Sequence, residues 1–161
     1  MKSKGLRDIR QFLFVVSAIA ILLIAGCEEP SVSINARLGD FFDDLGDATS
    51  NSEHARLVDR HFHPDTESLS QIRTAEFWGN TKFDSPNVSS YSWNRTGDSS
   101  SNDFGGTTRV SVRVDPSGPP AFDAHFFMDT SGGDQKIRAI DQDPSDDDVL
   151  IKSLPTPLYS P

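Results

Sequence analysis

Residues 33–143 predict an α+β domain, with helices first and an antiparallel sheet after them. Three observations carry that reading. Apolar residues repeat at helical spacing before Pro64. They alternate or cluster in β-rich runs after Pro86. Two hairpin registers, read independently, agree about which strand residues share a face.

The first helix is the clearest. In "SINARLGDFFDDLGD" the residues Ile34, Leu38, Phe41, Phe42 and Leu45 form one apolar stripe. Ser33 is placed to cap it, because its hydroxyl can accept from an N–H of the first turn, and Gly46 is the expected stop. A second helix is expected over residues 52–62, with Ala55, Val58 and Phe62 on one side and Pro64 ending it. A weaker third helix holds Leu69, Ile72 and Ala75, ahead of Phe77 and Trp78.

The strands come next. "SSYSWNR", "TRVSVRVD", "AFDAHFFMD" and "QKIRAID" are β-rich runs separated by Gly, Pro and Ser clusters. Gly132 and Gly133 predict a two-residue type I′ hairpin that pairs Asp129 with Lys136, Met128 with Ile137 and Phe126 with Ala139. The loop "PSGPP" pairs Val114 with Phe122, Val112 with Ala124 and Val110 with Phe126. One face then carries Val110, Val112, Val114, Phe122, Ala124, Phe126, Met128, Ile137 and Ala139. The other carries Arg109, Ser111, Arg113, Asp123, His125, Phe127, Lys136, Arg138 and Ile140. A slip of one residue in either hairpin would mix the faces. An apolar sheet face needs a cover, and the helices supply it. Asp141 is the one ionisable member of the inner face, opposite Ala124.

Helices followed by a curved meander of long strands resemble the NTF2-like (cystatin-like) superfamily of α+β cones over most of residues 33–143. "HFHPD" followed by "AEFW" resembles the region after the early helices in small lipoproteins of that kind. The resemblance is one of architecture. It implies a cone that Trp78, Tyr91 and Trp93 line or fill. The superfamily contains ketosteroid-isomerase-like enzymes, ligand-binding modules and lipoproteins, so fold alone does not choose a function. An isomerase or dehydratase of this type would need a proton-shuttling group inside, and Asp141, with its pKa raised by burial, is the candidate.

The N-terminus addresses the chain. Lys2, Lys4, Arg7 and Arg10 precede an apolar run over residues 12–25, broken only by Ser17. Such a run is short for a bilayer span and suits a signal peptide. Ile24, Ala25, Gly26 and Cys27 then resemble the bacterial lipobox, which implies cleavage before Cys27 and a diacylglycerol thioether on its sulfur. Residues 1–26 read as signal peptide, 27–33 as lipidated tether, 34–153 as the domain and 154–161 as an extended Pro-rich tail. Glu28 follows the cysteine where lipoproteins retained on the inner membrane usually carry aspartate. The outer membrane is therefore favoured in a cell with two.

Composition narrows the partners. The full chain has a formal charge of −9. Beyond residue 26 there remain 11 basic and 23 acidic residues, or −12. Phosphates repel such a chain, which argues against nucleic acid and against electrostatic attachment to anionic headgroups. A single cysteine permits no intrachain disulfide.

The remaining motifs point to no chemistry. His61 and His63 in "HFHPD" diverge at a helix end, and with His54 still lack a fourth metal ligand; they read as exposed histidines near a helix C-terminus. "DQDPSDDD" lacks the glycine and terminal glutamate of a calcium loop and reads as a solvated acidic loop. No cofactor is implied. The sequence therefore favours a noncatalytic, membrane-tethered binding or structural module for an apolar ligand or an envelope protein. An enzyme using Asp141 is the alternative. Replacing Cys27 with Ser is expected to release the domain from membranes or leave the precursor uncut. Partitioning of the mature wild-type protein into the aqueous phase of a detergent extraction would contradict the lipid anchor.

Overall fold

A computed structural model describes residues 32–66, 69–102, 104 and 106–144. The expected signal peptide, the expected lipidation site Cys27 and the Pro-rich tail lie outside the described residues. Helices come first: α1 (Ile34–Asp47), α2 (Asn51–His61), α3 (Leu69–Ile72) and α4 (Ala75–Gly79). They lead into a four-stranded antiparallel meander, β1 (Tyr91–Ser101), β2 (Thr107–Pro116), β3 (Phe122–Asp129) and β4 (Lys136–Asp141), in the order β1-β2-β3-β4. The architecture is α+β.

The Ser33 hydroxyl caps α1 by accepting from the N–H of Ala36. Ser50 caps α2 in a reciprocal box with Glu53, whose carboxylate accepts from the N–H groups of Thr49 and Ser50, each at 2.9 Å. Those bonds, the Thr49 backbone first, hold the Glu53 carboxyl down at about 2. Gly46 does not stop α1, which runs one residue further. Its small size serves packing, since a Cβ there would come within 3.1 Å of the Ser89 carbonyl oxygen.

The β2–β3 register is as the sequence predicts, with Val114 opposite Phe122, Val112 opposite Ala124 and Val110 opposite Phe126. The β3–β4 register departs from it. Asp129 faces Lys136 and Met128 faces Ile137, but Phe127 then faces Ala139 and Phe126 faces Ile140. Arg138 is the extra residue of a β-bulge. Its guanidinium swings back to Asp129 at 2.5 Å and lies 3.1 Å from the His63 ring. The hairpin is also not the two-residue type I′ turn, which needs positive φ at both central positions. Only Gly133 of the pair has one, at 74°, and the ladder ends at Asp129 and Lys136.

The bulge exchanges faces beyond it. Ile140 enters the core, and Ala139 joins Phe127 on the far side, where both are covered by Phe104 from the β1–β2 connection. Phe104 and Phe127 meet edge to face at 4.7 Å. On the core side, Val110, Val112, Val114, Phe126, Met128 and Ile140 pack against Leu38, Phe41, Phe42 and Leu45 of α1 and Leu57 and Val58 of α2. After α2 the chain runs along the free edge of β4, where Phe62 bridges to Ile137 in parallel and His63 donates its N–H to the Ile137 carbonyl at 2.9 Å.

The face exchange is testable. Ile140→Ala is expected to cost about 2–5 kcal/mol of stability, as a truncation in a filled core does. A cost within about 0.5 kcal/mol in denaturant unfolding, the usual size for a surface change, would put Ile140 back on the outer face and remove the bulge.

Candidate functional site: a filled interior and a groove at one end of the sheet

The four residues proposed from sequence to line a pocket do not form one. Trp78 is fully buried, donates its indole N–H to the Ile72 carbonyl at 2.6 Å, and packs against Phe41, Phe62, Phe77 and Phe83. Tyr91 and Trp93 do share a face, and both lie on Phe42, with ring centroids at 5.8 and 5.7 Å. The Tyr91 hydroxyl donates to the Phe83 carbonyl at 2.8 Å, and burial raises its pKa. All three rings fill the space between helices and sheet. Asp141 is not with them. The bulge turns it to the other face of the sheet, opposite His125 rather than Ala124. Among the described residues the buried ionisable side chains are Arg37, His54, His61 and Asp141; the His61 ring meets Phe41 edge to face and the His54 ring stacks on Trp78.

On the outer face Ser111, His125 and Asp141 stand in a row across β2, β3 and β4. A catalytic relay needs the acid on one imidazole nitrogen and the nucleophile on the other. Here His125 Nδ1 is 3.9 Å from the Asp141 carboxylate, beyond hydrogen-bonding length. The row lacks the geometry of a relay.

The histidines are not exposed, contrary to the sequence reading. His54 and His61 are fully buried and His63 is half-buried. The His54 Nδ1–H donates to the Ser50 carbonyl at 2.8 Å, and its Nε2 lies 3.1 Å from the buried Ser85 hydroxyl. The Ser85 oxygen in turn lies 3.1 Å from the carbonyls of Leu45 and Ala48, so the pair ties together the end of α1 and the start of α2. The His61 Nε2–H donates to Asp44 at 2.6 Å, while its Nδ1 faces Arg37 at 3.5 Å. Since arginine only donates, Nδ1 accepts and the ring is neutral. Among the described residues no group of three or more His, Cys, Asp or Glu side chains could hold a metal ion.

Arg37 was not singled out by the sequence. It is buried on α1, bonded to the Asp134 carboxylate at 2.6 Å, to the Asp134 carbonyl at 2.8 Å and to the Arg60 carbonyl at 3.3 Å. A charge inside an apolar stripe is tolerable only with such partners. The Val32 N–H also donates to the Gly133 carbonyl at 3.1 Å. The start of α1 is thereby pinned to the β3–β4 loop.

A cleft among the described residues lies at the opposite end of β3. It measures about 570 Å³ and is lined by residues 79–82, Asp84 and residues 119–122. Phe122 closes its floor, resting on Phe83 at 5.1 Å. Pro119, Pro120 and Ala121 make an apolar wall that faces the polar Asn80, Thr81 and Lys82. Only the aromatic-free loop "PSGPP" hinted at this place, and it was legible as a turn alone.

No family model, no curated protein and no solved structure matches the chain.

The buried histidines set a pH dependence. Burial lowers the pKa of His61 from its ordinary 6.5, and Arg37 and Arg60 lower it further, against Asp44. Burial and then Arg109 lower that of His125, against Asp141 and Asp123. Between the lowered values and about 6.5 the unfolded chain binds more protons than the folded one. Stability from this source is complete above that range and is lost as the pH falls through it. The urea midpoint is expected to drop between about pH 7.5 and 5.5, and to drop less in His61→Gln, with His125 carrying part of the remainder. Equal drops in both proteins would contradict the neutral, buried imidazole.

Proposed function

We propose that the chain is an envelope lipoprotein whose domain, NTF2-like in architecture, is a noncatalytic binding module. A lipid on Cys27 holds it to a membrane, the outer one where there are two, and the groove at residues 79–84 and 119–122 takes an apolar segment of a ligand or of an envelope protein. The observation that carries this reading is the separation of the two ends. Val32 is held at the β3–β4 loop, whereas Phe122 stands at the start of β3, seven residues before Asp129. Seven strand residues span about 24 Å. A tether leaving at Val32 keeps the β3–β4 loop near the membrane and presents the groove away from it.

Two further observations support a module over an enzyme. The rings between helices and sheet pack on one another, and the two buried histidines are committed to protein partners, His54 to Ser50 and Ser85 and His61 to Asp44 and Arg37. Asp141, the carboxylate on which an isomerase reading depended, stands on the far face beside His125. The acidic surface agrees with a partner that is neither nucleic acid nor an anionic headgroup, and a lipid supplies the attachment that charge does not.

Photo-crosslinking in cells separates the two ends. A benzophenone side chain at Ala121 is expected to give an adduct with an envelope component, and one at Ser131, on the tether side, is not. An adduct from Ser131 with none from Ala121 would reverse the orientation and remove the groove as the binding surface.

A further inference from the structure

We propose that the segment taken by the groove is cationic as well as apolar: a stretch of polypeptide in which a lysine or arginine stands among apolar residues and meets the Asp84 carboxylate. The inference rests on the groove reading and adds the chemistry of the occupant. Lys82 and Asp84 are the two charged residues that line the groove. They differ in their partners. The Lys82 ammonium is held by the Asp143 carboxylate at 2.5 Å, and its N–H donates to the Gln142 amide oxygen at 2.8 Å. Asp84 has no ion pair among the described residues, and its Oδ1 accepts from the neutral Asn87 side-chain amide at 3.1 Å. The groove therefore offers a ligand one carboxylate that the chain itself leaves without a cation.

The turn around Asp84 holds it in place. Its N–H donates to the Thr81 carbonyl at 3.1 Å, and its carbonyl accepts from the Asn87 N–H at 2.8 Å. Its φ is 50°, a left-handed conformation that aspartate and asparagine adopt more readily than most side chains. The neighbouring polar wall is occupied with its own turn. The Asn80 amide donates to the Glu76 carbonyl and the Thr81 hydroxyl to the Trp78 carbonyl, each at 2.8 Å. Opposite stand Pro119, Pro120 and Ala121. An apolar segment laid on those three displaces water from the groove and from the carboxylate in it. A carboxylate that loses water and gains no opposite charge is costly. A neutral segment therefore binds at a penalty, and an acidic one at a larger penalty. A lysine or arginine removes it. The aliphatic stem lies on the prolines while the charged head meets Asp84. Both demands are met within one residue type, which favours a polypeptide over a plain hydrocarbon chain. Such a groove selects as much by rejecting the wrong partner as by attracting the right one. The charge of the chain acts in the same direction. The 11 basic and 23 acidic residues beyond residue 26 draw a basic partner toward it.

Three capped tripeptides test the proposal, with lysine, norleucine or glutamate between two leucines. Each is titrated into the chain from Cys27 onward and followed by amide NMR. The lysine peptide is expected to shift resonances within residues 79–84 and 121–122. It is expected to bind roughly three- to fivefold more tightly than the norleucine peptide, the size of one partly exposed ion pair, with the glutamate peptide weakest. Asp84→Asn retains the backbone conformation and an acceptor for Asn87, and is expected to abolish the difference between the lysine and norleucine peptides. Equal binding of those two to the wild type, with the same resonances shifted, would overturn the cationic partner and leave the groove reading standing. A difference that persists in Asp84→Asn would overturn it too. No shift from any of the three would remove the groove as a binding surface, and the proposal with it. Binding of n-hexylammonium as tight as that of the lysine peptide would make the occupant a small amine and overturn the polypeptide.

Discussion

Phe41 has no exposed surface, and six rings surround it. Phe42, Phe62, Trp78, Phe83, Phe126 and His61 all place their centroids within 5.2 to 6.4 Å. Most of these contacts are edge to face, the arrangement that the ring quadrupole favours. Two of the helices, the segment before the sheet and the third strand meet on this one side chain. Truncating such a ring to alanine costs about 3–5 kcal/mol, a large part of the stability of a domain this size. The seven rings occupy the space between helices and sheet that a ligand held inside the domain would need.

Polar pins then fix which outside is which. Arg37 crosses from α1 to the β3–β4 loop, and Lys82 crosses from the loop after α4 to the end of β4. Arg37 is buried and donates to two carbonyls and a carboxylate, whereas the Lys82 pair is partly exposed and is worth about 1 kcal/mol or less. The β3–β4 loop end is accordingly the firmly held one, and the groove end is held by a weak surface pair. Asp129 adds to the firm end. Burial raises its pKa, but hydrogen bonds from Ser131 and the charge of Arg138 outweigh that and bring it to about 2.

Much of the fold was legible because periodicity reports burial directly. The α1 stripe, the Ser33 cap and the β2–β3 register come from which residues must leave water together. The β3–β4 register failed at a single residue. A bulge depends on where Arg138 finds a carboxylate, and that partner, Asp129, is set by the tertiary fold rather than by alternation. One extra residue exchanged Ala139 for Ile140 and moved Asp141 from a supposed catalytic interior to the outer face. Trp78, Tyr91 and Trp93 were placed on the correct side, but alternation cannot tell a ring that lines a space from one that fills it. The groove was illegible because it joins residues 79–84 to residues 119–122, two loops with no shared pattern in the sequence.

Xenon enters apolar space that is empty and is excluded from space that is filled. A crystal of the domain under xenon pressure therefore reads the central claim without any variant. The filled interior predicts no xenon among Phe41, Phe42, Phe83 and Phe126, with binding only in the groove beside Phe122. A xenon atom among those four rings would show an interior cavity and return the enzyme reading to contention.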